Sequence, residues 1–173
     1  MTVGHAVDGA STRPAPRPPS MARVVFGVVF SSFVYGATVA LGFGLVLAIG
    51  GEARVLEPES WQITPTVQLL GVLIAGIGAF FAGTLCRLVI GDARISLMFS
   101  VLLLVLVTAQ GLSRFGSEDA PTRREPGDRG AGTIAQNVQP GPIALIGLPL
   151  AAAVMSYAGG ATMGRVQRFF LGR

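Results

Sequence analysis

Four long apolar stretches divide the sequence, and nearly all charged residues fall outside or between them. Each stretch is close to, or longer than, the roughly 20 residues that a helix needs to cross the hydrocarbon core of a bilayer. We predict transmembrane helices at about 22–50, 66–90, 95–112 and 142–163. The sequence therefore indicates an all-α integral membrane protein with four transmembrane helices in a domain that covers residues 21–164.

The segments outside these stretches are polar. Residues 1–20 are rich in Pro, Ser, Thr and Gly, which cannot bury apolar surface, so we expect a disordered or extended cytoplasmic tail. Residues 165–173 form an arginine-containing interfacial tail, also predicted to be cytoplasmic. Outer loops are predicted at 51–64 and 113–141. The linker 91–94 is so short that the second and third spans should form a tight antiparallel hairpin.

Arginine placement predicts the orientation in the membrane, because cytoplasmic loops carry an excess of basic residues. With the N-terminus inside, eight of the 13 arginines lie on the inner side and five on the outer side. The inner eight are Arg13, Arg17, Arg23, Arg87, Arg94, Arg165, Arg168 and Arg173. Seven of the nine acidic residues fall outside. We therefore predict that both termini are cytoplasmic.

Composition supports a membrane location. Hydrophobic residues make up 51% of the chain and charged residues 13%, against about 25% charged residues in soluble domains. Every basic residue is arginine, as a GC-rich genome favours, and the pI is about 10.6. In a membrane protein such a pI indicates arginines that set topology and contact anionic lipid. We expect a multi-pass protein of a bacterial plasma (inner) membrane, with lipids and not nucleic acid as partners.

Small residues recur at every fourth position in three of the four spans, which places them along one ridge of each helix. Such ridges let helix backbones approach closely, the usual basis of helix association in lipid. The rows are Ser32, Gly36, Ala40, Gly44 and Ala48 in span one, Gly71, Ala75, Ala79 and Gly83 in span two, and Ala152, Ser156, Gly160 and Gly164 in span four. We predict that these three spans form the packed core and that span three, rich in Leu and Val, faces lipid or a partner subunit.

A short pattern occurs twice. Residues 82–87 and 160–165 both read small, small, Thr, apolar, any residue, Arg, at the ends of spans two and four. The chain is therefore interpreted as two duplicated helical hairpins in parallel, as in some membrane families. An equal alternative is that both helix ends independently acquired small residues and an arginine that reaches the interface.

The sequence offers little chemistry inside the membrane. No Asp, Glu, His or Lys lies within a predicted span, and the chain has one histidine, His5, and one cysteine, Cys86. Proton relays, metal sites and nucleophile–base pairs therefore have no candidate residues there. We predict no enzymatic activity, no cofactor and no metal.

Hydroxyl groups in transmembrane helices mostly bond to backbone or to a neighbouring helix. A sharper hypothesis is that Tyr35, Thr38, Tyr157 and Thr162 line a polar cleft for a lipid headgroup or a pigment. Arg87 and Arg165, at the inner ends of two spans, are then candidate contacts to a lipid phosphate.

Three functions are compatible with these features. The favoured one is a non-catalytic accessory or structural subunit of a larger membrane protein complex, which packs against partner subunits and lipid. The alternative is a small oligomeric transporter or channel that is not coupled to intramembrane charged residues. A membrane enzyme acting on lipids is the least supported, because no acid–base or nucleophile set can be assembled.

Overall fold

The computed structural model describes residues 18–57, 60–115, 139 and 141–171, and these residues form four long helices and one short one. The helices are α1 (Met21–Gly50), α2 (Glu52–Val55), α3 (Pro65–Ile90), α4 (Ala93–Phe115) and α5 (Pro142–Leu171). The four long helices are each apolar and long enough to cross a membrane. For the described residues, this confirms the prediction of an all-helical architecture with four helices that could span a membrane.

The helix ends follow from local sequence. Ser20 Oγ accepts a hydrogen bond from the Arg23 backbone N–H at 3.4 Å and caps the start of α1. Gly91 ends α3 with a φ of 83°, a left-handed conformation that favours glycine. Asp92 Oδ1 then accepts from the Arg94 N–H at 2.8 Å and caps α4.

Helix α3 lies at the centre of the bundle. It packs against α1 on one side and, most extensively, against α5 on the other, while α4 packs mainly on α5. The predicted hairpin of α3 and α4 exists, but their mutual contact is small because both helices pack mainly on α5.

Glycines allow α3 and α5 to approach to backbone contact. A Cβ on Gly83 would lie 2.7 Å from the carbonyl carbon of Ser156, and a Cβ on Gly159 would lie 2.9 Å from Thr84 Oγ1. Real Cβ atoms essentially never approach this closely. The separation of the two helices therefore depends on the absence of side chains at these positions.

The small-residue rows of α3 and α5 lie in or beside this contact. Ala75 and Ala79 are fully buried and Gly83 is buried, whereas Gly71 is half-buried with nothing near its missing side chain. All four residues of the α5 row are buried: Ala152, Ser156, Gly160 and Gly164.

The small-residue row of α1 was expected to pack in the core, but in the structure it is largely exposed. Gly36, Ala40, Gly44 and Ala48 are exposed and Ser32 is half-buried. The face that meets α3 instead carries Gly27, Ser31, Tyr35, Thr38 and Gly42. The reason is steric, since Ile90 and Ile74 of α3 lie where side chains at Gly27 and Gly42 would stand.

The sequence had suggested that span three faces lipid or a partner subunit, but one face of α4 packs inside the bundle. Its Ser96, Phe99, Ser100 and Leu103 are buried, and Ser100 Oγ lies 3.2 Å from Ser156 Oγ on α5. The opposite face is exposed and carries Val101, Leu102, Val105 and Leu106. Span three therefore has one packed and one exposed face.

The segment between α1 and α3 folds back onto the bundle. Trp61 is 1% exposed and packs with Val55, Leu56, Ile63 and Val67. The Gln139 N–H donates to the Trp61 carbonyl at 3.0 Å. The predicted outer loop thus has an apolar core of its own.

Gln68 ties the starts of two helices together. Its Nε2 donates to the Ile63 carbonyl at 2.7 Å, and its Oε1 accepts from the Ala144 N–H at 3.3 Å. That N–H belongs to the first turn of α5 and has no partner within its own helix. Gly141 lets the amide lie this close, because a Cβ there would overlap it.

Two predicted boundaries change. Residues 165–171 continue α5 as helix instead of forming a separate tail, and α4 extends to Phe115. The predicted tail at 1–20 and the loop at 113–141 lie mostly outside the described residues, as do residues 172–173.

We predict that Gly83→Ala destabilises the fold by about 1–3 kcal/mol, because the new methyl group overlaps the backbone of α5. The matched control is Gly71→Ala in the same helix and row, where nothing lies within 4 Å of the added atom. Thermal unfolding of both variants in detergent measures the difference. Equal melting temperatures would contradict backbone contact between α3 and α5.

Candidate functional site

A cavity of about 270 Å³ lies where α3 ends, α4 begins and the last turns of α5 pass. We call it the arginine cavity. It is lined by Arg87, Ala93, Ser96, Tyr157, Gly160, Ala161, Gly164, Arg165 and Arg168. Three of these residues are cationic and none is acidic, so the cavity favours an anion.

Arg87 is the most deeply placed of the three arginines. Its Nε and Nη1 atoms are buried and have no hydrogen-bond partner among the described residues. Leaving a buried donor unsatisfied costs about 1–3 kcal/mol, and more for a charged group. The guanidinium is thus held in place with donors unused, as expected of a group that meets a ligand.

Small residues on α5 make room for this arrangement. A Cβ on Gly164 would lie 3.4 Å from Arg87 Nε and 3.5 Å from Nη2. Gly160 lets Ser96 Oγ approach the backbone of α5, where a Cβ would overlap the hydroxyl. The same row that packs α5 against α3 therefore also shapes the floor of the arginine cavity.

The two outer arginines come from the exposed side of α5. Arg165 and Arg168 are both exposed, and Arg168 Nε donates to the Gly164 carbonyl at 3.3 Å. They are three positions apart, which places them on neighbouring turns of one helix face. Together they give the rim of the arginine cavity its positive charge.

The structure brings the two predicted headgroup contacts, Arg87 and Arg165, to the same cavity. Sequence reasoning did not select Arg168 or Ser96. The spacing of Arg165 and Arg168 could have indicated a shared face, and Ser96 and Ser100 form a small-residue pair four positions apart in span three.

The hypothetical polar cleft is not formed. Tyr35 and Thr38 face Gly78 at the α1–α3 contact, whereas Tyr157 lies at the arginine cavity. Thr38 and Thr162 donate to carbonyls one turn earlier in their own helices, at 2.8 Å in each case. These threonine hydroxyls follow the more common behaviour of bonding to their own backbone.

A second, apolar cavity of about 380 Å³ lies between α1, α4 and α5, nearer the other end of the bundle. Its lining residues include Val39, Phe43, Val107 and Leu148. Gln110 and Ser113 supply side-chain polarity but no ionisable group. It has the character of a crevice for apolar chains.

The exposed row of α1 is a third candidate feature. The α1 outer row consists of Gly36, Ala40, Gly44 and Ala48, and nothing lies within 4 Å of the missing side chain at Gly36 or Gly44. In the most apolar stretch of α1 only 11% of the residues are buried, against 39% in that of α3. Helix α1 is therefore the least covered of the four spans.

Among the described residues, no three His, Cys, Asp or Glu side chains come together as a metal site. The comparisons with known protein families, with curated proteins and with solved structures find no match.

We predict that Arg87→Met raises the free energy of unfolding of the delipidated protein by about 1–3 kcal/mol, because it removes a buried cation whose donors are unused. Arg94→Met, an exposed arginine at the same end of the bundle, is the control and should change little. Chemical or thermal unfolding in detergent measures both. A strong loss of stability in Arg87→Met would show a structural role instead.

Proposed function

We propose that the protein is a non-catalytic accessory subunit of a larger membrane protein complex. In this proposal α1 is the helix that packs against a partner subunit. The observation that carries it is the α1 outer row, a run of small residues on the most exposed span.

Contact with lipid does not require small side chains, because lipid tails pack equally well against large apolar ones. A row of small residues on an exposed helix face therefore needs another explanation. Rows spaced by four residues serve the close approach of another helix. In α3 and α5 such rows lie at an internal contact, while the α1 outer row is exposed, with nothing within 4 Å of the missing side chains at Gly36 and Gly44. A partner helix would give the α1 outer row the contact that the other two rows already have.

The side chains in the cavities support a non-catalytic role. Neither cavity is lined by Asp, Glu, His or Cys. The arginine cavity contains the hydroxyls of Ser96 and Tyr157, but a hydroxyl nucleophile needs a base within hydrogen-bond reach, and the lining has no carboxylate or imidazole to act as one. Binding and packing are what the lining residues can supply.

We also propose that both termini face the cytoplasm of a bacterium. Arg23, Arg87, Arg94, Arg165 and Arg168 all lie at the end of the bundle where α1 begins and α5 ends. An excess of arginine marks the cytoplasmic side.

A duplication of two hairpins, α1–α3 and α4–α5, is part of the same proposal. Each pair is in contact, and the two pairs join through α3 and α5. The repeated Thr84 and Thr162 each bond to the carbonyl four residues earlier, and the repeated Arg87 and Arg165 share one cavity.

We predict that Ala40→Leu releases the partner while leaving the isolated chain as stable as the wild type, because Ala40 is exposed in the chain alone. The control is Ala109→Leu, the same substitution at an exposed position of α4. Each form is purified from the source membrane in mild detergent, and co-migrating proteins are quantified by mass spectrometry.

The expected result is a stoichiometric partner with the wild type and Ala109→Leu, and its loss with Ala40→Leu. If the wild type migrates alone or as a homo-oligomer, the accessory role is wrong, and the small oligomeric transporter or channel becomes the function to test.

We predict that reporter domains fused to either terminus behave as cytoplasmic, because the arginine-rich end of the bundle contains both the start of α1 and the end of α5. A fusion placed after Arg54, at the opposite end, is the control and should behave as external. A periplasmic signal from either terminus would overturn the proposed topology.

A further inference from the structure

We propose that the arginine cavity binds the phosphate group of an anionic phospholipid. Arg87 is the central ligand, and Arg165 and Arg168 complete the site from the rim. This inference is independent of the accessory role, because it rests on a different part of the molecule.

The arginine cavity is positively charged. Its lining contains three arginines and no acidic residue. The nearest acid in sequence, Asp92, accepts from the Arg94 backbone N–H at 2.8 Å and serves as the cap of α4. Asp92 does not line the cavity, so no lining residue offsets the positive charge of the three arginines.

Arg87 has hydrogen-bond donors without acceptors in the described ranges of the chain. Its Nε and Nη1 are buried without an acceptor among the described residues. Guanidinium groups bind phosphate through parallel N–H···O bonds, and such charge-assisted bonds are about twice as strong as neutral ones. A phosphate in the cavity would lie against a guanidinium whose Nε and Nη1 donors have no acceptor in the described part of the chain.

The length of α3 indicates the depth of the arginine cavity in the membrane. Helix α3 has 26 residues and, at about 1.5 Å per residue, a length of about 39 Å. The hydrocarbon core of a bilayer is only about 30 Å thick. With α3 centred in the core, Arg87 in its last turn lies at the edge of the hydrocarbon core, and its long side chain can extend from there to the level of the lipid phosphates.

An apolar stripe on α5 beside the cavity favours a lipid over free phosphate. Leu150, Val154 and Tyr157 are exposed along one side of α5, and Tyr157 itself lines the cavity. Their spacing of four and three residues forms a continuous apolar stripe. An acyl chain can follow this stripe away from a headgroup held in the cavity, whereas a free phosphate gains nothing from it.

The test measures lipid binding to the delipidated full-length chain in detergent by native mass spectrometry. Phosphatidylglycerol is the phosphate-bearing lipid, diacylglycerol is the matched lipid without phosphate, and glycerol phosphate is the matched phosphate without acyl chains. The variants are Arg87→Gln and Arg165→Gln, with Arg94→Gln as the control of equal charge at the same end of the bundle. Arg94 does not line the cavity.

We expect one phosphatidylglycerol to bind the wild type, with affinity about ten-fold lower in Arg87→Gln, as loss of a charge-assisted bond implies. Arg165→Gln should weaken binding several-fold, and Arg94→Gln by less than about two-fold, because that arginine lies outside the cavity. Arg165 is exposed, so its replacement tests the site without disturbing the packed core.

Three results would overturn the proposal. Equal losses in Arg87→Gln and Arg94→Gln would mean adsorption through net charge alone. Equal binding of diacylglycerol would mean that the phosphate is not recognised. Displacement of the lipid by glycerol phosphate at matching concentration would assign the site to a soluble phosphate and not to a lipid.

Discussion

The contact of α3 and α5 at backbone distance is the constraint on which the rest of the structure depends. Gly83 and Gly159 each lie against the other helix where a methyl group would overlap. In a bilayer, burying apolar side chains drives helix association only weakly, because lipid is equally apolar. Close backbone approach supplies the attraction instead, through many small dispersion contacts. The other two long helices pack around this pair, α1 on α3 and α4 on α5.

The same close contact produces the arginine cavity. Because α5 carries Gly160 and Gly164 on the side that faces α3 and α4, the backbone there is bare. Ser96 and the guanidinium of Arg87 occupy the space that is left. Packing and candidate binding are therefore two consequences of one row of small residues, and a substitution in that row affects both.

The sequence predicted the number of spans well, because a bilayer demands long uncharged stretches and these are visible residue by residue. It identified the rows of α3 and α5 through the four-residue spacing of Ala75, Ala79 and Gly83 and of Ala152 and Ser156. It selected the row of Ser32, Gly36, Ala40, Gly44 and Ala48 in α1, whereas α1 meets α3 through another face that also carries small residues. Gly27 and Gly42 meet Ile90 and Ile74 in space, and pairing across helices cannot be read from one helix alone.

The candidate site was predicted in part for a similar reason. Arg87 and Arg165 stood out because each ends a repeated pattern, whereas Arg168 and Ser96 join the cavity only through the packing of three helices. The burial of Trp61 also depends on tertiary structure, since the loop that carries it folds onto the end of α1. Tryptophan is enriched at membrane–water interfaces, but Trp61 here belongs to a buried apolar cluster.

The order of the helices along the chain also bears on biosynthesis. Helix α3 packs chiefly on α5, yet α4 and residues 116–141 are synthesised between the two. While the chain is being inserted, the glycine-bearing side of α3 has no native neighbour until the last span enters the bilayer. Of the long helices synthesised before α5, α1 packs more extensively on α3 than α4 does, so α1 provides most of the early contact to α3.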